Sequence, residues 1–172
     1  MKNTIIIAAL AAALAGCASM GMGAKPAAVA NLEPTTGNSA RGTVTFTQEG
    51  THIQVSASLS GLKPGAEHAF HVHEKGDCSS GDGMSTGGHF NPASNPHGPQ
   101  SSPHHAGDMP SLVADSYGNA SASFTLRGVS IGGAAPDLVG KGLIVHRDPD
   151  DYKTQPTGNA GARGACGVIR AG

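Results

Sequence analysis

Two histidines one residue apart in a strand-like run, followed by His89, His97 and His105 in a glycine- and proline-rich stretch, constrain this chain more than any other feature. His71 and His73 stand in Ala69-Phe70-His71-Val72-His73, which alternates as a strand does. Residues i and i+2 of a strand share a face. Both imidazoles therefore project to one side, about 7 Å apart at the backbone and close enough for one ion. His89, His97 and His105-Ala106-Gly107-Asp108 follow in a segment too rich in Gly, Pro and Ser for helix or sheet, and His146 lies far downstream. Neutral imidazole is the commonest metal ligand, and a loop can fold spaced ligands around a second ion, with Asp108 supplying a carboxylate. Any one of these histidines alone reads as an ordinary core or surface residue. The strand pair and the H-x-x-D ending together argue for metal.

Strands are the regular elements the sequence supports. Ala27–Glu33, Arg41–Gln48 and His52–Leu59 alternate or are rich in Val, Thr and Ile. Gln48-Glu49-Gly50 separates two of them as a hairpin turn would, and Lys63-Pro64-Gly65 makes the next turn. Glu67–Glu74 carries the histidine pair. Ser111–Asp115, Asn119–Leu126, Leu143–His146 and Ala165–Arg170 complete the set. Between them run two long loops, Glu74 to Pro110 and Asp148 to Arg163, and loops of that length in a compact domain are usually functional. Eight short strands with Gly/Pro turns read as an all-β, antiparallel Greek-key sandwich or barrel. With 26 glycines and no tryptophan among 172 residues, ordered loops and turns fit better than helices. The core must rest on Val, Leu, Ile, Ala and a few Phe. A net charge of −1 without a basic block argues against a nucleic-acid partner.

The first residues read as a targeting segment. Lys2 gives a positive start, Ile5 to Leu14 an apolar stretch too short to span a bilayer, and Leu14-Ala15-Gly16-Cys17 a small-residue cleavage site. That tetrapeptide resembles a bacterial lipoprotein signal, in which cleavage leaves Cys17 lipidated; the alternative is an ordinary secretory peptide with an incidental cysteine. The organisation is then residues 1–16 signal peptide, 17–27 tether and 28–172 one domain. It places the protein in the bacterial cell envelope, facing the periplasm, with contact to the membrane, the outer one, through the lipid alone.

The remaining motifs, taken in order, resemble the copper/zinc superoxide dismutases of bacteria. Phe70-His71-Val72-His73-Glu74 is similar to that family's paired copper-ligand strand, and Gly87-Gly88-His89-Phe90-Asn91-Pro92 to the segment whose histidine bridges the metals. His97-Gly98-Pro99 and His105-Ala106-Gly107-Asp108 resemble the other zinc ligands, and Leu143-Ile144-Val145-His146 the strand of the last copper histidine. The stretch from Gly158 to Ile169 resembles the closing signature, with Arg163 three residues before a disulfide cysteine, Cys166. The resemblance implies copper on His71, His73, His89 and His146, and zinc on His89, His97, His105 and Asp108. It also implies that His89 is shared, that Arg163 holds superoxide, and that Asp150 links a copper histidine to a zinc histidine. If Cys17 carries lipid, Cys78 and Cys166 remain to pair in an oxidising compartment.

The activity so implied is dismutation of superoxide to oxygen and hydrogen peroxide, by a monomer or homodimer. The loop before Gly158 lacks the charged pattern that eukaryotic members use to steer the anion; Lys75 and Lys153 are candidate substitutes. A metal-storing lipoprotein without catalysis is the competing class, and the complete ligand set with Arg163 speaks against it. His104 loses to His105, which alone gives H-x-x-D. Asp148 and Asp151 read as a solvated acidic loop, and His52 and His68 as surface or packing residues.

Overall fold

The computed structural model describes residues 27–133 and 136–172, so the expectations for the signal segment and Cys17 lie outside the described residues. Among the described residues ten strand segments form: β1 (Ala27–Pro34), β2 (Arg41–Glu49), β3 (His52–Ser60), β4 (Glu67–His68), β5 (Phe70–His73), β6 (Leu112–Val113), β7 (Ala120–Arg127), β8 (Gly142–His146), β9 (Arg163–Val168) and β10 (Arg170–Ala171). The main sheet runs β5-β8-β9-β1-β2-β3-β7, with β10 also on β1 and β4-β6 as a separate pair; every strand pairing is antiparallel. The fold is the all-β Greek-key barrel that the sequence predicts. Among the described residues the one helical element is a single 3-10 turn at Met84–Thr86.

The barrel curls through β1. Its residues Ala27 to Leu32 pair with β2, while Glu33 and Pro34 pair with Cys166 and Ala165 of β9. One strand thereby joins the β2-β3-β7 half to the β9-β8-β5 half. Alternation decides what goes inside: Ala28, Ala30 and Leu32, then Val44 and Phe46, then Ile53, Val55, Ala57 and Leu59 are buried, while their neighbours are more exposed. Each fully buried Val, Leu, Ile or Phe contributes about 1.5–3 kcal/mol, so the core holds without tryptophan.

Strands β5 and β8 depart from that pattern and are buried on both faces. Phe70, Val72, Leu143 and Val145 face the core. The opposite face, with His71, His73 and His146, is covered by the long loops. Contact is direct. The Val72 amide donates to Gly107 O at 2.9 Å, Phe90 N to Val72 O at 2.8 Å and Gly107 N to Phe90 O at 2.9 Å. Isolated bridges pair His73 with His89 and His71 with Asp108. Gly107 permits this approach, because a Cβ there would collide with the Val72 carbonyl.

The single strand expected over Glu67–Glu74 is divided at Ala69. The Ala69 amide donates to Asp148 O at 2.9 Å and its carbonyl accepts from His146 N at 2.8 Å, so the chain leaves β6 and joins β8 at that residue. Likewise the last expected strand begins at Arg163 and breaks at Ile169, whose amide donates to Lys141 O.

Candidate metal centre

Four imidazole nitrogens meet between β5, β8 and the first long loop. His71, His73 and His146 come from the strands and His89 from the loop bridge beside β5; all four are buried. Their neighbours determine which nitrogen is free. His71 Nε2–H donates to Asp150 Oδ2 at 2.7 Å, His73 Nδ1–H to Gly87 O at 2.9 Å and His146 Nδ1–H to Gly161 O at 3.3 Å. Holding one ring nitrogen by an acceptor sets tautomer and orientation. That leaves His71 Nδ1, His73 Nε2 and His146 Nε2 with lone pairs and no partner, and His89 Nε2 joins them. The four rings offer ligand atoms within 4.8 Å of one another. Buried polar atoms without partners are costly, and four that converge fit a metal ion. Burial also disfavours protonation, pushing His71 down to about 4, His146 to about 3 and His73 to about 2. These rings are neutral at physiological pH, as ligands must be.

A second set lies on the other side of the His89 ring. His89 Nδ1 is 2.9 Å from Asp108 Oδ1, His97 Nδ1 is 3.0 Å from the same oxygen, and His105 Nδ1 is 3.3 Å from both that oxygen and His89 Nδ1. A tetrahedron with metal bonds of about 2.0–2.1 Å has edges of about 3.3 Å, close to these separations. The other Asp108 oxygen accepts from the His105 amide at 3.0 Å and the Gly98 amide at 3.2 Å, which aims the carboxylate. Burial raises the Asp108 pKa, but the hydrogen bonds to His89 and His97 outweigh it and hold the carboxyl well below its usual range.

Asp150 joins the two sets. Its Oδ2 accepts from His71 and its Oδ1 from His97 Nε2–H at 2.9 Å and the Tyr152 amide at 2.7 Å. Burial opposes ionisation here too; the two imidazoles outweigh it and keep Asp150 a carboxylate.

Arg163, half-buried at the start of β9, is gripped by the first loop. Nη1 donates to Gly83 O at 2.7 Å and Thr86 Oγ1 at 2.6 Å, and Nη2 to Gly87 O at 2.7 Å. Gly87 O accepts from both Arg163 Nη2 and His73 Nδ1, so the guanidinium stands beside the first set. Cys78 and Cys166 are bonded, tying that loop to β9 three residues beyond Arg163.

Some residues escaped sequence reasoning. His68, which reads from sequence as a surface or packing residue, is buried, and its Nδ1–H donates to His146 O at 2.8 Å. Gln155 clamps the His97 backbone from both sides, Oε1 accepting from its amide at 2.8 Å and Nε2 donating to its carbonyl at 2.9 Å. His104 turns away to Ser102 O. Asp148 pairs with Arg147, and Asp151 accepts from the Lys153 and Thr154 amides.

Residues 40–169 match the family described as copper/zinc superoxide dismutase (SODC). The chain belongs to that family. It is 40% identical over 136 residues to the "Superoxide dismutase [Cu-Zn]" of Paramecium bursaria Chlorella virus 1, covering 75% of this chain and 72% of the relative. Among solved structures it resembles the clock protein EA4, with 37% identity, a TM-score of 0.75 and coverage of 87% of this chain and 97% of that one. An SOD-like protein from Bacillus subtilis is also similar, at 33% identity and TM-score 0.73, over 81% and 96% of the two chains. Family membership makes this an enzyme of the superoxide dismutase class with copper and zinc as cofactors, and both histidine clusters suit metal binding.

Proposed function

We propose that the protein dismutes superoxide, two anions and two protons giving oxygen and hydrogen peroxide, with copper on His71 Nδ1, His73 Nε2, His89 Nε2 and His146 Nε2. Zinc is held by Asp108 and the Nδ1 atoms of His89, His97 and His105, so His89 serves both. The observation that carries this reading is the set of four buried, partnerless nitrogens, one belonging to a ring whose other nitrogen sits in the second cluster. When bound, copper supplies a one-electron couple and zinc a fixed positive charge without redox chemistry.

Each residue has its own task. Arg163 holds the incoming anion with a planar, always-charged guanidinium, and the carbonyls of Gly83 and Gly87 keep it aimed. His89 Nε2 would hold either the metal or a proton, never both, so on release from the metal it would be the atom that takes a proton and passes it to the departing peroxide. Asp150 orients His71 and His97 together, so the two clusters cannot shift independently. Lys75 and Lys153 steer the anion from the surface. Lipid on Cys17 anchors the chain, a monomer or homodimer, in a bacterial envelope facing the periplasm, at the outer membrane. The Cys78–Cys166 bond fits such an oxidising compartment.

His146→Ala tests the assignment. The variant is expected to lose superoxide-decay activity and copper while retaining zinc, because His146 belongs only to the first set. An active variant, or one that loses zinc first, refutes it.

A further inference from the structure

Arg163 opens onto a cleft of about 240 Å³ lined also by Thr35, Asn38, Asp82, Met84 and Ala162. Among the described residues Asp82 is the only acid in that lining. It is exposed, but its backbone is not free to move away. The Asp82 carboxylate accepts from the Met84 amide at 2.9 Å, and the next residue, Gly83, gives its carbonyl to Arg163. Arg163 spends its hydrogen bonds on Gly83, Thr86 and Gly87 rather than on Asp82. The carboxylate therefore remains a separate negative charge in the cleft that Arg163 shares. The two groups feel each other: Asp82 counteracts the downward push of burial on Arg163, and Arg163 adds to the Met84 hydrogen bond in keeping Asp82 ionised.

A negative charge beside an anion-holding arginine looks counterproductive until the charge of the anion is considered. Repulsion is proportional to that charge. If Asp82 lowers the affinity of a monoanion by a factor f, it lowers that of a dianion by f squared. Superoxide carries one charge. We propose that Asp82 is a specificity-determining residue, a charge filter that makes the Arg163 site prefer monoanions over dianions such as inorganic phosphate. The filter rests on the reading of Arg163 as the anion holder. Its cost to superoxide is small, because in water one exposed charge about 10 Å from an anion changes an encounter roughly twofold at low salt.

The test uses the metal-loaded protein and Asp82→Asn, which keeps the acceptor for the Met84 amide and removes the charge. Three quantities are measured at a series of ionic strengths, at a pH where phosphate is mainly dianionic. They are the second-order rate of superoxide decay, the affinity for azide from titration of the copper(II) spectrum, and the inhibition constant of phosphate. At low ionic strength the variant is expected to gain roughly twofold in superoxide rate and azide affinity, and roughly fourfold in phosphate inhibition. All gains shrink as salt shortens the screening length. Equal factors for azide and phosphate, no change in either, or gains that persist at high salt overturn the proposal. Arg163→Ala separates the two failures. If it leaves both affinities unchanged, the anion-holding role of Arg163 falls, and the filter with it; if it weakens both while Asp82→Asn changes neither, the filter alone falls.

Discussion

Removing the Cys78–Cys166 bond by the double change Cys78→Ser and Cys166→Ser tests how much of the site depends on one cross-link. The bonded residues are 88 apart in sequence. In the chain-entropy description, closing a loop of that length restricts the unfolded chain by about 4–5 kcal/mol at 25 °C. For a domain of this size each kcal/mol corresponds to roughly 2–4 °C, so the melting temperature of the metal-loaded variant should fall by roughly 10–20 °C. The site should suffer as well. The loop released at Cys78 supplies Gly83, Thr86 and Gly87 to Arg163, and Gly87 O also holds His73. Without the bond the loop keeps the Arg163 contacts, Gly81 O accepting from the Thr36 amide at 2.8 Å, Thr86 O accepting from the Lys75 amide at 3.0 Å and Ser85 Oγ donating to Asp77 O at 2.6 Å, so it should loosen rather than unfold. Superoxide decay is therefore expected to slow several-fold at full copper loading, while zinc, whose ligands begin at His89, is retained. Calorimetry and a decay assay on the same sample read both effects. A melt within about 3 °C of the parent, equivalent to roughly 1 kcal/mol, would refute the entropy argument. Unchanged activity would show that Arg163 is aimed without the bond.

Three further outcomes are expected. Asp108→Ala should lose zinc and melt lower, since structural zinc contributes folding free energy, yet keep some activity when reloaded with copper; a melt indifferent to zinc removal counts against it. Arg163→Ala should cut the second-order rate roughly tenfold or more, the equivalent of a charge-assisted contact of about 1.5–3 kcal/mol, with Arg163→Lys recovering part and the copper spectrum nearly constant. Full activity of the alanine variant at low salt would move the anion guide elsewhere, with Lys75 next to test. Cys17→Ser should release the protein as a soluble or unprocessed form, and mass spectrometry of the mature amino terminus should find acyl chains on Cys17; an unmodified cysteine rejects the anchor.

The metal clusters were legible in the sequence because ligation depends on side-chain identity. Only a few residue types can bind such ions, and their spacing along a strand and through a loop is visible without coordinates. The main strands were legible for a similar reason, since Val44 and Phe46 or Ile53 and Val55 alternate with polar neighbours and register follows from period two. What aims the site is largely backbone. Gly87 O sets the free nitrogen of His73, Gly161 O that of His146, and His146 O receives His68. Every residue carries a carbonyl, so nothing in the letters marks these three. His68 and Gln155 reach their partners across 78 and 58 residues, through a loop path that has no periodicity to read. The division at Ala69 has the same origin, for an Ala between two strand segments looks like any strand residue until Asp148 O and His146 N claim its amide and carbonyl. Sequence thus identifies the groups that can bind, whereas the choice of nitrogen on each ring is made by carbonyls it does not distinguish. His68→Ala therefore acts on the copper set without touching a ligand, by freeing the carbonyl of the residue whose ring must hold its place.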